Sequence, residues 1–385
     1  MHEQMPHVHR HGGNFSLSQI TMDDVDLKRR MPGNRRVHVY RAWDVVSQCV
    51  VGVSYAREKK EYLVVDCFRD MFRLCAKQGW GMPAGIEVEN HLMTQYKEGF
   101  LQTGVAFSWV HFCAPQNSQE KYAEPLNSAF EKFLHGRHEG QGRFYLKGKN
   151  RIDQKKVSDE TNELWEDKKY YEWDELVADD RADVYAWNHQ LHPNQKKFPG
   201  MTRWDVLCEC VNPTLQPLDK LTLARYIGER VETSIRRNST VRVAHEDWWL
   251  SDTSVLEKLR PNDYQVTAYY LPDEEGKPTD VYIFQGDKYI DRVEKVETYN
   301  RVMAEQTDED VAAYIEQQKK ISKFGKYVRE HAIEQVSVMK KTPPDGKPSE
   351  HVEPEELEVV PQQTEQASEP LYAMTDTEDR AVADM

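Results

Sequence analysis

Apolar and polar residues alternate in strand fashion over residues 17–27, and Met31-Pro-Gly-Asn34 follows as a turn signal. Residues 37–46 and 49–56 repeat the strand pattern and are joined tightly through Ser47 and Gln48. Over 60–78 the period changes. Leu63, Val64, Cys67, Met71, Phe72, Leu74 and Cys75 recur at helical spacing, and Gly79, Gly81 and Pro83 end the helix. A short strand over 85–88 leads into polar Glu89-Asn90-His91, and a short helix then precedes a further strand over 104–113. Pro115 and Asn117 introduce a long helix over about 118–135.

Residues 137–165 are polar and basic, the stretch to about Lys169 is acidic, and both predict loop. A helix over 174–190 is expected to pack back on the preceding elements. Between 223 and 296 short strands return, at 239–244, 264–270, 281–285 and 288–291, with hairpin-like turns at 273–276 and Gly286-Asp287. These predict a small antiparallel barrel or sandwich, with Trp248-Trp249 in its core or at an interface. A charged helix over 308–340 would serve assembly or lie as a surface helix. The expected organisation is a disordered leader (1–15), a mixed α/β core with a helical extension (16–210), a small barrel (220–300), a helix (305–341) and a disordered acidic tail (342–385). No internal repeat is present.

Of the 385 residues, 39% are hydrophobic and 30% charged, enough apolar material for a core. No run approaches 18 consecutive apolar residues, which excludes a membrane helix, and the His-rich start lacks the apolar stretch of a secretory signal. The leader histidines His2, His7, His9 and His11 predict only adventitious metal binding. Six scattered cysteines are the usage of a reducing compartment, and Cys208-x-Cys210 lacks the partner pair that zinc needs. A cytoplasmic protein follows. The net charge of −14 argues at first against a nucleic-acid partner. Residues 342–385 hold 12 acidic and 2 basic residues, however, which leaves a body near −4 with local basic clusters.

Three acids stand out by position: Asp23 in the first strand, Glu89 directly after the fourth, and Glu124 on the long helix. They are separated by 66 and then 35 residues. Carboxylates on a strand, a strand end and a helix face can hold two divalent cations, since Mg²⁺ takes oxygen ligands and keeps several waters. Two such ions stabilise the attacking and leaving oxygens of an in-line phosphoryl displacement.

With Glu89-Asn90 and Gln119-Glu-Lys-Tyr-Ala-Glu124 in this order, the chain resembles the DDE-type transposase and integrase family, nearest to the bacteriophage-Mu-type transposases. In that family Asn normally follows the second acid and a Lys-x-x-Glu run carries the third, as Lys121 to Glu124 does here. Residues 40–52 are similar to its second and third strands, while Asn188, His192 and Gly200-Met-Thr-Arg-Trp-Asp205 resemble the segment after its catalytic domain. A barrel after that segment is the Mu-type arrangement, so the resemblance spans about residues 17–300. It implies an RNase H-like catalytic domain, then a small antiparallel barrel and a C-terminal helix. It also implies Asp23, Glu89 and Glu124 as ligands of two Mg²⁺ or Mn²⁺ ions, and DNA 3′-end cleavage followed by strand transfer. The implied partner is double-stranded DNA, both element ends and target, met by a homo-oligomer associated with the bacterial nucleoid.

The chain departs from the family where Glu89 replaces the usual Asp, moving the carboxylate by about 1.5 Å, and where His91 replaces a common Gly. It also begins close to the first catalytic strand, where the family carries helix-turn-helix modules for end recognition. Two positions stay open in the sequence. Asp24 competes with Asp23 as the first acid, although alternation sends Asp24 and Asp26 to the other face. Glu87 shares a face with Glu89, and Asn90 favours Glu89. Asp44 matches a family Asp outside the three ligands. Arg143, Lys147, Lys149 and Arg151, with Phe144 and Tyr145 between them, and Arg236 and Arg237 on the barrel, are candidate DNA-phosphate contacts or solvated surface. The competing readings are an RNase H-like structure-selective nuclease and a catalytically dead DNA-binding remnant.

Overall fold

The structure is a computed structural model that describes residues 12–89, 93–113, 121–134, 137–138, 170–236 and 239–330. They divide into two units, split after Thr298.

The first unit begins with a five-stranded mixed sheet. Strands β1 (Ile20–Met31), β2 (Arg35–Asp44) and β3 (Val50–Ala56) form an antiparallel meander, helix α1 (Glu61–Gln78) crosses over, and β4 (Gly85–Glu89) and β5 (Trp109–Cys113) complete the order β3-β2-β1-β4-β5. β4 runs parallel to β1, and β5 parallel to β4. α1 forms where the helical period predicts it and stops where it should: Gly79 takes the left-handed φ of +70° that glycine adopts without strain.

Period-2 alternation separates the faces of this sheet. Ile20, Met22, Tyr40, Ala42 and Val51 face α1, whose Phe68 and Phe72 join Phe100 and Phe107 in edge-on and tilted aromatic contacts. The opposite face carries Trp43 and Val50 under helices α2 (Ala123–Leu134) and α3 (Trp173–Asn188), with Trp43, Phe130 and Trp187 edge to face. As expected, α3 packs back on the sheet. Its Asn188 amide donates to the Val50 carbonyl and accepts from the Val50 amide, both at 2.9 Å, where the β2–β3 register shifts. His192 Nε2 lies 3.0 Å from the Val46 carbonyl, and the Arg203 guanidinium stacks 3.7 Å from the Trp187 ring centre.

Helices α4 (Arg203–Glu209) and α5 (Lys220–Ile227) then lead into a nearly closed antiparallel sheet. Its strands are β6 (Glu229–Ser234), β7 (Thr240–Val243), β8 (Glu246–Trp249), β9 (Gln265–Pro272), β10 (Pro278–Gln285) and β11 (Lys288–Lys295), in the order β6-β9-β10-β11-β8-β7. The edge strands meet where Thr233 Oγ1 donates to the Arg242 carbonyl at 3.0 Å. Trp248 lies in the buried core of this sheet, so it is a packing residue.

The structure departs from the sequence pattern in several places. Leu223, taken with the strands, belongs to α5, and β6 begins only after it. The strand expected from Gly104 starts at Trp109, because the chain turns at Gly104 to bury Ala106 and Phe107 against α1. α4 was not expected; Thr202 and Asp205 build its capping box.

In the second unit, Thr307 and Asp310 exchange hydrogen bonds at the start of α6 (Asp308–Glu330), and Tyr299 packs on Tyr314 with ring centres 5.1 Å apart. None of the α6 side chains is buried within its unit, and Val311, Ile315, Ile321 and Val328 are exposed. No helix among the described residues is long and apolar enough to cross a membrane. The leader to residue 11, the basic stretch 139–169 and the acidic tail lie outside the described residues.

Candidate active site

The β1–β4 ladder places the first two acids. Its pairs Ile20–Ile86 and Thr21–Glu87 set an offset that brings Asp23 level with Glu89. Both side chains emerge on the α2 face. Asp24 and Asp26 take the other face, where both pair with Lys59, at 2.6 and 3.2 Å. Asp23 is therefore the aspartate that meets Glu89.

The Lys121 ammonium lies between them, 2.6 Å from Asp23 Oδ1 and 2.6 Å from Glu89 Oε1. The Lys121 side chain is 4% exposed, Asp23 15% and Glu89 42%, so the site opens to solvent on the Glu89 side. The second oxygen of Asp23 accepts from Asn127 Nδ2 at 3.2 Å, and Asn127 Oδ1 accepts from the Trp43 indole at 3.1 Å. Burial pushes the Asp23 carboxyl above the ordinary aspartate value, against the opposing pull of Lys121. For Lys121, burial works to lower the ammonium, but the hydrogen bonds and charges of Asp23 and Glu89 outweigh it and hold the group above the ordinary lysine value.

Glu87 has different work. It is buried and accepts from Thr21 Oγ1 at 3.1 Å, from Gln19 Nε2 at 3.0 Å and from the Tyr122 amide at 2.8 Å. The last bond supplies an acceptor and a negative charge at the N-terminus of α2. With its oxygens so engaged, Glu87 ties α2 to the sheet, and Glu89 is the acid left facing Asp23.

Glu124 stands exposed in the first turn of α2. It is three residues from Asn127, so the two are neighbours on one side of the helix. Among the described residues no three His, Cys, Asp or Glu side chains gather closely enough to hold a metal, so Glu124 does not complete a three-acid cluster with the pair. Asp23 and Glu89 nevertheless suit Mg²⁺ or Mn²⁺ by donor chemistry, being hard oxygen ligands already disposed around a cation.

Of the candidate DNA contacts, Arg236 is exposed on the barrel and 3.5 Å from Asp247. Arg143, Lys147, Lys149, Arg151 and Arg237 lie outside the described residues. Sequence reasoning did not single out Asn127, Trp43 or the bridging role of Lys121. The available signal was Asn127 itself, a polar residue within the stripe Ala123, Leu126, Phe130 and Leu134 that α2 buries.

No protein-family model and no curated protein matches the chain. Among solved structures, one it is similar to is the cryo-electron microscopy structure of the simian T-cell lymphotropic virus intasome in complex with PP2A regulatory subunit B56 gamma. The identity is 14% and the TM-score 0.32, over 76% of this chain and 83% of that one. A superposition this loose establishes neither a shared fold nor a shared activity.

Proposed function

We propose that the chain is a DDE-type transposase of the Mu-like kind, which cleaves DNA at the 3′ ends of a mobile element and transfers those ends into target DNA. The observation that supports it most is the pairing of Asp23 and Glu89 from neighbouring parallel strands around one buried cation, beside the helix that carries Glu124. The sheet order supports it as well, because three antiparallel strands followed by two parallel ones is what an RNase H-like core requires.

In this reading Asp23, Glu89 and Glu124 would hold two Mg²⁺ or Mn²⁺ ions once the Glu124 side chain turns toward the pair, and the ions when bound would supply charge stabilisation for phosphoryl transfer. The chain's own residues set the geometry. Asn127, oriented by Trp43, holds the Asp23 carboxylate in place, and Glu87 fixes the start of α2 and with it the position of Glu124. Double-stranded DNA, both element ends and target, would contact the basic stretch 143–151 and Arg236 and Arg237 through its phosphates. A homo-oligomer would hold the ends together, in the bacterial cytoplasm.

The test is a strand-transfer assay with pre-cut ends, supercoiled target and Mn²⁺, comparing wild type with Glu124→Gln. Joining by wild type that the variant loses supports a transposase with Glu124 in its active site. Nicking without joining, again dependent on Glu124, makes the protein an RNase H-like nuclease. Absence of both activities, together with no Mn²⁺ binding, leaves a DNA-binding remnant.

A further inference from the structure

Lys121 holds two carboxylates with a single charge, so the Asp23–Lys121–Glu89 cluster stays net negative even before Glu124 is counted. The lysine is not part of the sheet that carries its partners. It lies two residues before α2 begins, on a flexible four-carbon stem. Other bonds hold its surroundings as well. Asn127 holds the other oxygen of Asp23, and the Glu87 bond to the Tyr122 amide anchors the adjacent backbone. The ammonium can therefore leave by a change of side-chain rotamer while the acids and α2 keep their places. Glu89 gives the site a solvent-facing side through which another cation can enter.

We propose that Lys121 is a displaceable internal counter-ion: it closes the Asp23–Glu89 pair when no divalent cation is bound and withdraws when one enters. This rests on the metal-dependent reading above. Two facing carboxylates repel, and an ammonium relieves that repulsion with one positive charge, whereas a divalent ion does so with two. The exchange runs toward the divalent ion whenever it is supplied, and the protein folds without a metal because the lysine takes its place. Metal entry is then a competition with a tethered cation.

The test is Mn²⁺ titration of the full chain, followed by the electron paramagnetic resonance signal of free Mn²⁺, for wild type, Lys121→Met and Glu89→Gln. Methionine keeps an unbranched stem and removes the charge. Lys121→Met should bind Mn²⁺ roughly tenfold more tightly, the scale expected when one like charge leaves a screened site. Equal or weaker binding would overturn the counter-ion role. A second measurement needs no variant: acetylation of Lys121 in wild type, quantified by mass spectrometry, should accelerate several-fold when Mn²⁺ saturates the site. An unchanged or slower rate overturns the proposal. If wild type binds no Mn²⁺ that Glu89→Gln removes, the metal-dependent reading itself fails. If it binds Mn²⁺ through Glu89 while Lys121 reactivity stays constant, only the counter-ion role fails.

Discussion

Asp44 and Asp23 sit on adjacent strands, and each has its carboxyl largely withdrawn from water, yet their partners divide them. Asp44 is fully buried and accepts from the Leu17 amide and the Ser47 amide, both at 2.7 Å, so it ties the entry of β1 to the β2–β3 turn. Burial pushes its carboxyl up to about 6 from an ordinary 3.8, against the opposing pull of the hydrogen bonds it accepts. Because the folded value is the higher one, the stabilising contribution is complete below the unfolded pKa and is lost as pH rises through the folded one. The wild-type advantage over Asp44→Asn should accordingly shrink between about pH 4 and 6, by at most about 3 kcal/mol. It should be level above that window. Urea denaturation across this range measures it, and a constant difference would show an unshifted carboxyl. Asn127 gives a second prediction at this scale. Asn127→Leu leaves the Trp43 indole N–H and one Asp23 oxygen without their partner, and should cost about 1–3 kcal/mol in urea denaturation.

Among the elements, α3 shows how a weakly amphipathic helix is fixed to a sheet. Its buried side sets aspartates between the apolar Leu176 and Trp187. Asp179 pairs with Arg29 at 2.6 Å, Asp180 with Arg41 at 2.6 Å, and Asp183 with Arg137 at 2.9 Å and His138 at 2.6 Å. Arg41 and Asp180 have side chains only 2% and 3% exposed, and Tyr55 donates a further bond to Asp180 at 2.9 Å. Removing one partner leaves a buried charge uncompensated, so Asp180→Ala should cost about 3–5 kcal/mol. The double variant Arg41→Met, Asp180→Leu should be less destabilised than Asp180→Ala, because both desolvation costs disappear together. A double-variant cycle by chemical denaturation checks the order, and a double variant worse than the single would mean the pair contributes net stability. The end of this helix explains three residues noted in the sequence only by resemblance: Asn188 closes on Val50 of β3, His192 just beyond it reaches the Val46 carbonyl in the β2–β3 turn, and Arg203 of α4 stacks on Trp187.

For the whole first unit, the junction between the two sheets is the demanding feature. Arg69 on α1 donates to the Ile227 carbonyl at 2.5 Å and pairs with Glu229 at 2.8 Å, and Arg73 donates to the Asp273 carbonyl at 3.1 Å. At Gly228, between α5 and β6, a Cβ would meet the Ala224 carbonyl oxygen at 2.3 Å and the Tyr270 carbonyl oxygen at 2.6 Å. Both obstacles are backbone, so neither yields by a rotamer change. Gly228→Ala should therefore force β6 from its place beside β9, at a cost of about 1–3 kcal/mol, visible as a lowered melting temperature. Charge acts at this scale too. If the tail at 342–385, carrying a net −10, competes with DNA for the basic stretch, deleting it should tighten nonspecific DNA binding at low salt. Unchanged affinity would dismiss that competition.

Where periodicity was long, the sequence determined the element: seven apolar positions at helical spacing and a terminal glycine specify α1, and alternation specifies β1 to β3 and separates Asp23 from Asp24 and Asp26. Some short elements were not legible, because β8 has four residues and shows only two periods of alternation, while α5 has little more than two helical turns. The tertiary structure alone decided which acid faces which. Alternation leaves Glu87 and Glu89 on one face, and only the approach of the Tyr122 amide engages the first and leaves the second for Asp23. It also decided that Lys121 stands between the acids. An ion pair between residues 98 positions apart has no periodic signature, since it exists only once β1 and α2 have packed.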